Sequence, residues 1–184
     1  MSNTILTLND YGSLITTPQL TAVKGDEVIR KEAERAAQTE VKTYLRNKYD
    51  LVALFPTITE HNLASSYAEN DIVVEVKSLS DKFWQAKTAV AAQAPLVEGA
   101  NWQEISDPRD PLMKEILIDL TLYRLYTRLA PNQIPETRVQ RRDDQINFLK
   151  GIAKFDLTVD WVLADTTDPA TSDWGSKTKH QKDW

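Results

Sequence analysis

Between Asp26 and Tyr49 apolar side chains recur at spacings of three and four, with Glu and Arg between them: Ile29, Ala33, Ala36, Ala37, Val41, Tyr44, Leu45 and Tyr49. That period predicts an amphipathic helix. Asp26 and Glu27 at its start and Arg46 and Lys48 at its end suit the helix dipole. A second tract, Leu112–Leu129, is apolar around most of its circumference, with Met113, Ile116, Leu117, Ile118, Leu120, Leu122, Tyr123, Leu125 and Tyr126. A surface that wide predicts a helix packed on several sides. Asp110 followed by Pro111 reads as an acidic cap before a proline at the first helical position, and Pro131 stops the run. A last helix is expected from Pro135–Glu136 to about Lys154, carrying Val139, Ile146, Leu149 and Ile152. Its partners in the expected helical core are Ile29, Val41, Leu45, Ile116, Leu120 and Tyr123.

The period changes in residues 56–106, where Pro56 and Pro95 interrupt the chain. Asp71–Lys77 is rich in β-branched residues, and Lys82–Val90 reads as its hairpin partner across Ser78–Asp81. A further short strand is expected around Trp102. Residues 1–25 read as an amino-terminal arm, and 161–184 as an extended carboxy-terminal arm that turns polar after Leu163. The pattern therefore predicts a mainly α protein. Its helical core, residues 26–55 and 107–160, is a bundle of long helices with a small β insertion at 56–106 and extended arms at both ends.

Charge narrows the functional classes. Lys and Arg number 22 against 27 Asp and Glu in 184 residues, a net charge of −5 that opposes broad nonspecific binding to DNA or anionic lipid. The apolar tract carries Lys114, Glu115, Asp119, Arg124 and Arg128, too many charges for a membrane span. No basic-then-apolar segment opens the chain, so no secretory signal is expected. The absence of cysteine excludes disulfides, thiolate metal sites and cysteine nucleophiles.

Catalytic patterns are missing as well. His61 and His180 lie in different segments and form no metal-binding pair, and His61 is expected in a loop. No nucleophile elbow, phosphate loop, dinucleotide fingerprint or calcium loop occurs. Asp143 and Asp144 are neighbours on a helix and point about a hundred degrees apart, so they make no carboxylate dyad. No catalytic residue, metal or cofactor is expected. Arg138, Arg141 and Arg142 are balanced by Glu136, Asp143 and Asp144, which predicts a helix face laced with ion pairs and not a phosphate site.

Two groups of aromatics admit alternatives. Tyr67, Phe83, Trp84 and Trp102 either form the small core of the β insertion or a sugar-stacking platform. Trp174 and Trp184 stand in a polar tail with Lys177, Lys179 and His180, and either anchor it to another subunit or belong to a disordered end.

Several strings resemble tailed-phage head–tail connector (adaptor, or neck) proteins. They are Thr7–Tyr11, Val41–Asp50, Asp107–Pro111, Asp119–Arg128 and Arg141–Lys150. The likeness covers residues 5–50 and 107–160 and is nearest to versions with an inserted β segment, from phages of Bacteroidetes, including crAss-like phages. The tail from Trp174 to Trp184 resembles the ends of those proteins. Such a resemblance implies a virion protein without catalysis. It would sit in the neck after synthesis in the host cytoplasm, form a ring, usually of twelve copies, and bind the portal protein and other neck or tail proteins. DNA would be only passing cargo. The insertion separately resembles small carbohydrate-binding modules through Asp71–Val73, Phe83–Lys87, Pro95 and Trp102. That implies an alternative, a carbohydrate-binding accessory protein.

Overall fold

Aspartate caps begin three of the helices. In the computed structural model, which describes residues 6–16, 26–78, 80–129, 132, 134–154 and 156–164, helix α1 spans Glu27–Leu45, and Asp26 accepts from the Val28 N–H at 3.3 Å. Asp50 caps the short α2 (Leu51–Leu54) through the Val52 N–H at 2.8 Å. Asp110 caps α3 (Pro111–Leu129) through the Met113 N–H at 2.8 Å. Each carboxylate satisfies an amide that the helix itself leaves without a partner. Helix α4 (Glu136–Ala153) starts after Pro135 with no side-chain cap.

Four strands separate the first and second pairs of helices: β1 (Ile58–Glu60), β2 (Ile72–Glu75), β3 (Lys82–Ala86) and β4 (Trp102–Ile105). They form one sheet in the order β1-β2-β3-β4, with β1 parallel to β2 and the other neighbours antiparallel. Register pairs Val73 with Trp84, Val74 with Phe83 and Ala86 with Trp102. The period of two then sorts the apolar residues onto two faces. One face carries Val73, Trp84, Ala86 and Trp102 and is covered by Tyr67 and Val90; the other carries Ile58, Val74 and Phe83.

The expected mainly α bundle is thereby overturned. The described chain is an α/β fold, 44% helix with a four-stranded mixed sheet contributing 15%. The physical reason lies in β1. It is three residues long and pairs in parallel with residues fourteen positions on, Ile58 with Ile72, a non-local arrangement that leaves no period in the sequence.

The arms differ from expectation too. Leu6, Tyr11 and Ile15 are buried in the same cluster as Val41, Leu45, Ile116, Leu120 and Leu149, so residues 6–16 belong to the helical core. They are held there by a 3-10 turn, Asp10–Ser13. At the other end the Asp50 N–H donates to the Val162 carbonyl at 2.9 Å and the Ala164 N–H to the Lys48 carbonyl at 3.0 Å. Trp161 meets the Tyr49 ring edge-on at 5.4 Å. Residues 161–164 thus dock on the start of α2, while 165–184 lie outside the described residues.

Candidate functional site

The densest polar cluster sits where the amino-terminal turn, the β2–β3 hairpin and the start of α3 meet. Asp10 accepts from the Thr7 N–H at 2.7 Å and is gripped at two points by Arg109, at 2.6 and 3.1 Å. Arg109 also donates through Nε and an Nη to Asp107, both at 2.8 Å, and lies 4.8 Å from the Phe83 ring centre. Lys114, one turn into α3, reaches Asp107 at 2.7 Å. From the turn, Asn9 donates to the Lys77 carbonyl and to Asp81, each at 2.7 Å, and the Thr7 hydroxyl contacts Asp81. Three carboxylates and two cations therefore clasp the sheet to the helices.

The local sequence explains the clasp. Asp107 accepts from the Arg109 N–H at 3.0 Å across Pro108, a side-chain turn that aims the guanidinium back towards Asp10. Asp110 then starts α3 and places Lys114 over the same carboxylate. Burial pushes the Asp107 carboxyl up, but the hydrogen bonds from Arg109 and Lys114 outweigh it and hold its pKa at about 2. Burial disfavours the charged form of Arg109, yet its bonds to Asp107 and Asp10 raise its pKa. At neutral pH both groups are charged. Open hollows of about 490 and 340 Å³ flank the clasp. Among the described residues no group of ligating side chains suits a metal ion.

A second polar system runs between the helices. Asp119 is buried in α3 and faces α4, with Gln145 donating at 3.1 Å and the Arg138 and Arg141 guanidinia at 3.6 and 3.5 Å. The expected intrahelical lacing of α4 is thus partial: Arg142 does pair with Asp143 at 2.8 Å, but Arg138 and Arg141 point at another helix. Arg142 also lies 5.3 Å from the Tyr123 ring centre. Arg124 and Arg128 of α3 bind Glu40 and Glu32 of α1, each at 2.6 Å. Deeper in, Tyr11 donates to Glu34 at 2.7 Å beside the Arg30–Glu34 pair. Burial, only partly offset by Arg30, raises the Glu34 pKa.

The aromatic residues of the insertion are interior. Tyr67, Phe83, Trp84 and Trp102 are 5, 4, 5 and 1% exposed, so none offers a ring face for stacking on a sugar. They also lie on opposite sides of the sheet, Phe83 apart from the other three. Of the expected helical core, Val41, Leu45, Ile116, Leu120, Ile146 and Leu149 are buried, whereas Ile29 and Tyr123 are only half-buried. Ile29 lies in the first turn of α1, and Tyr123 sits at the interhelical rim under Arg142. Trp174, Lys177, Lys179, His180 and Trp184 lie outside the described residues.

Sequence reasoning missed Asp10, Asp81, Asp107, Arg109 and Lys114 as a group. The visible signals were the strings Thr7–Tyr11 and Asp107–Pro111; for the α3–α4 system the signal was Asp119, the one charge between Ile116 and Tyr123, which demands a partner once buried. Comparison with protein-family models, curated proteins and solved structures found no match to this chain.

Proposed function

We propose that this chain is a non-catalytic structural subunit of a tailed-phage neck. In this reading it is a ring-forming connector that bridges portal and tail proteins around the channel through which DNA leaves. The observation that carries the reading is the Asp10–Arg109 pair. It joins two of the strings on which the resemblance rests, 99 residues apart in sequence. Other strings meet in the same way: Asp119 of one faces Arg141 and Gln145 of another. These residues brace a frame and do not converge on a reacting atom. That is what a subunit needs if it must hold its shape between neighbours.

The net charge of −5 supports a channel wall that lets DNA pass without binding it. Its partners are copies of itself, the portal protein and other neck or tail proteins, in the virion. The alternative, carbohydrate binding through the insertion, is opposed by the burial of all four rings. Native mass measurement of the purified full chain, alone and with portal protein, tests the proposal. A multi-copy ring, or a stoichiometric complex with portal, is the expected result. A monomer at every concentration that ignores portal protein would overturn it.

A further inference from the structure

Two loops cover the aromatic side of the sheet: residues 61–68, opened by His61 after β1, and residues 88–97 between β3 and β4. In a chain with 27% charged residues, neither loop holds an Asp, Glu, Lys or Arg. The Tyr67–Val90 pair joins them at 2.9 and 2.8 Å, and the Gln93 N–H donates to the Leu63 carbonyl. The first loop is shaped from inside: the Asn62 N–H donates to the Tyr67 hydroxyl at 2.7 Å, and the Asn62 side chain accepts from the Ala64 N–H at 2.9 Å. In the second, Gln93 is held at φ 70°, a left-handed conformation costly for a residue with a side chain. Leu63 and Val97 nevertheless stay 55 and 62% exposed. The loops form a pinned, uncharged tip.

A second bare apolar surface lies on the helical side. Val52 of α2 is 81% exposed although Leu54 and Phe55 behind it are buried, and Val162 and Leu163 are 60 and 62% exposed. Asp50 draws these segments together. Its N–H donates to the Val162 carbonyl at 2.9 Å, and its carboxylate accepts from the Val52 N–H at 2.8 Å. Residues 51–59 and 161–164 also carry no Asp, Glu, Lys or Arg.

We infer that these surfaces are the two sides of one contact between copies: the tip around Leu63 and Val97 of one subunit seats on Val52, Val162 and Leu163 of the next, an assignment that rests on the ring-forming reading above and names the surfaces that would build the ring. Charge selects them. Copies that each carry −5 repel one another, and approach costs least where the facing surfaces are free of charge. Removal of apolar area from water then supplies the attraction. Backbone bonds set the shape of both surfaces in advance, so little ordering opposes the contact. Position decides the mode. The tip stands over the aromatic sheet cluster and the second surface over the helical one, and both are exposed in the single chain, so neither covers the other. Pairing either surface with itself would leave the other bare. Tip-to-patch contact uses both in every copy and runs head to tail, closing into a ring where the rotation allows.

The chain has no cysteine, so thiols placed at these surfaces report alone. Leu63→Cys and Val162→Cys change exposed side chains, and each full-length variant should keep the wild-type far-ultraviolet spectrum; should Val162→Cys misfold, Val52→Cys takes its place. Mixed in equal amounts, alone and with portal protein, and treated with a short bis-maleimide, the two variants should give a covalent dimer that neither gives by itself. The chain carrying both substitutions should give a ladder of higher multiples. Leu63→Glu, which brings a charge into the contact, should weaken self-association in native mass measurement by about tenfold or more. Multi-copy assembly without the mixed cross-link, equal cross-linking of one variant with itself, or assembly indifferent to Leu63→Glu would overturn this contact and leave the ring reading standing. A monomer throughout, with and without portal protein, would overturn both.

Discussion

The helical and sheet regions of this molecule solve burial differently. Helices α1, α3 and α4, together with residues 6–16, share one continuous interior that runs from Leu6 to Ile152. The sheet cannot do so, because alternation sends neighbouring side chains to opposite faces and splits its apolar residues into two small clusters. Strands of three to five residues then depend on Trp84, Trp102, Tyr67 and Phe83 to fill those clusters. The difference teaches that the sheet holds its shape through a few large rings and a polar clasp, while the helices hold theirs through one continuous, mostly aliphatic cluster and ion pairs between them.

The largest expected effect is at the joint between the two regions. Arg109→Ala leaves Asp10 buried without its main cation and should cost about 3–5 kcal/mol in chemical denaturation. A loss under about 1 kcal/mol would mean that the clasp does not join the regions. Next come paired truncations that separate them. Leu149→Ala in the helical interior should cost about 2–5 kcal/mol and lower the whole transition. Trp102→Ala should cost a similar about 3–5 kcal/mol, but with loss of amide protection confined to strands β2–β4. If both variants unfold the same amides, the two interiors are one cooperative unit.

Acid should probe the clasp more gently. The Asp107 pKa is lowered to about 2, so its contribution is full above about pH 5 and is lost as pH falls towards 2. With solvent screening of this partly exposed carboxylate, about 1 kcal/mol should disappear over that window. Asp107→Asn should flatten that part of the stability profile. The smallest effect is expected at Arg128–Glu32, where both side chains are about half exposed. Arg128→Ala should change stability by about 0.5 kcal/mol or less, and by even less in high salt.

Local signals were readable in the sequence and distant ones were not. The acidic start at Asp26, the Asp110 cap before Pro111 and the β-branched composition around Ile72–Glu75 all act within a few residues, and helices α1 and α3 and strand β2 lie there. The parallel partner β1 and the burial of Leu6 and Tyr11 depend on chain segments far away, and no periodicity reports them. The same holds for the clasp. Asp10 and Arg109 are 99 positions apart, and charge counting alone treats them as ordinary surface ions. Ile29 shows the limit of a local period: it fits the helical spacing, but in the first turn of α1 it is only half-buried.

The most direct test of the connector reading is electron microscopy of purified virions combined with mass identification of their proteins. The expected result is this chain in multiple copies as a ring between portal and tail, with the Asp10–Arg109 clasp intact in each copy. Its absence from purified particles, or its presence at a site unconnected with the portal, would contradict the account.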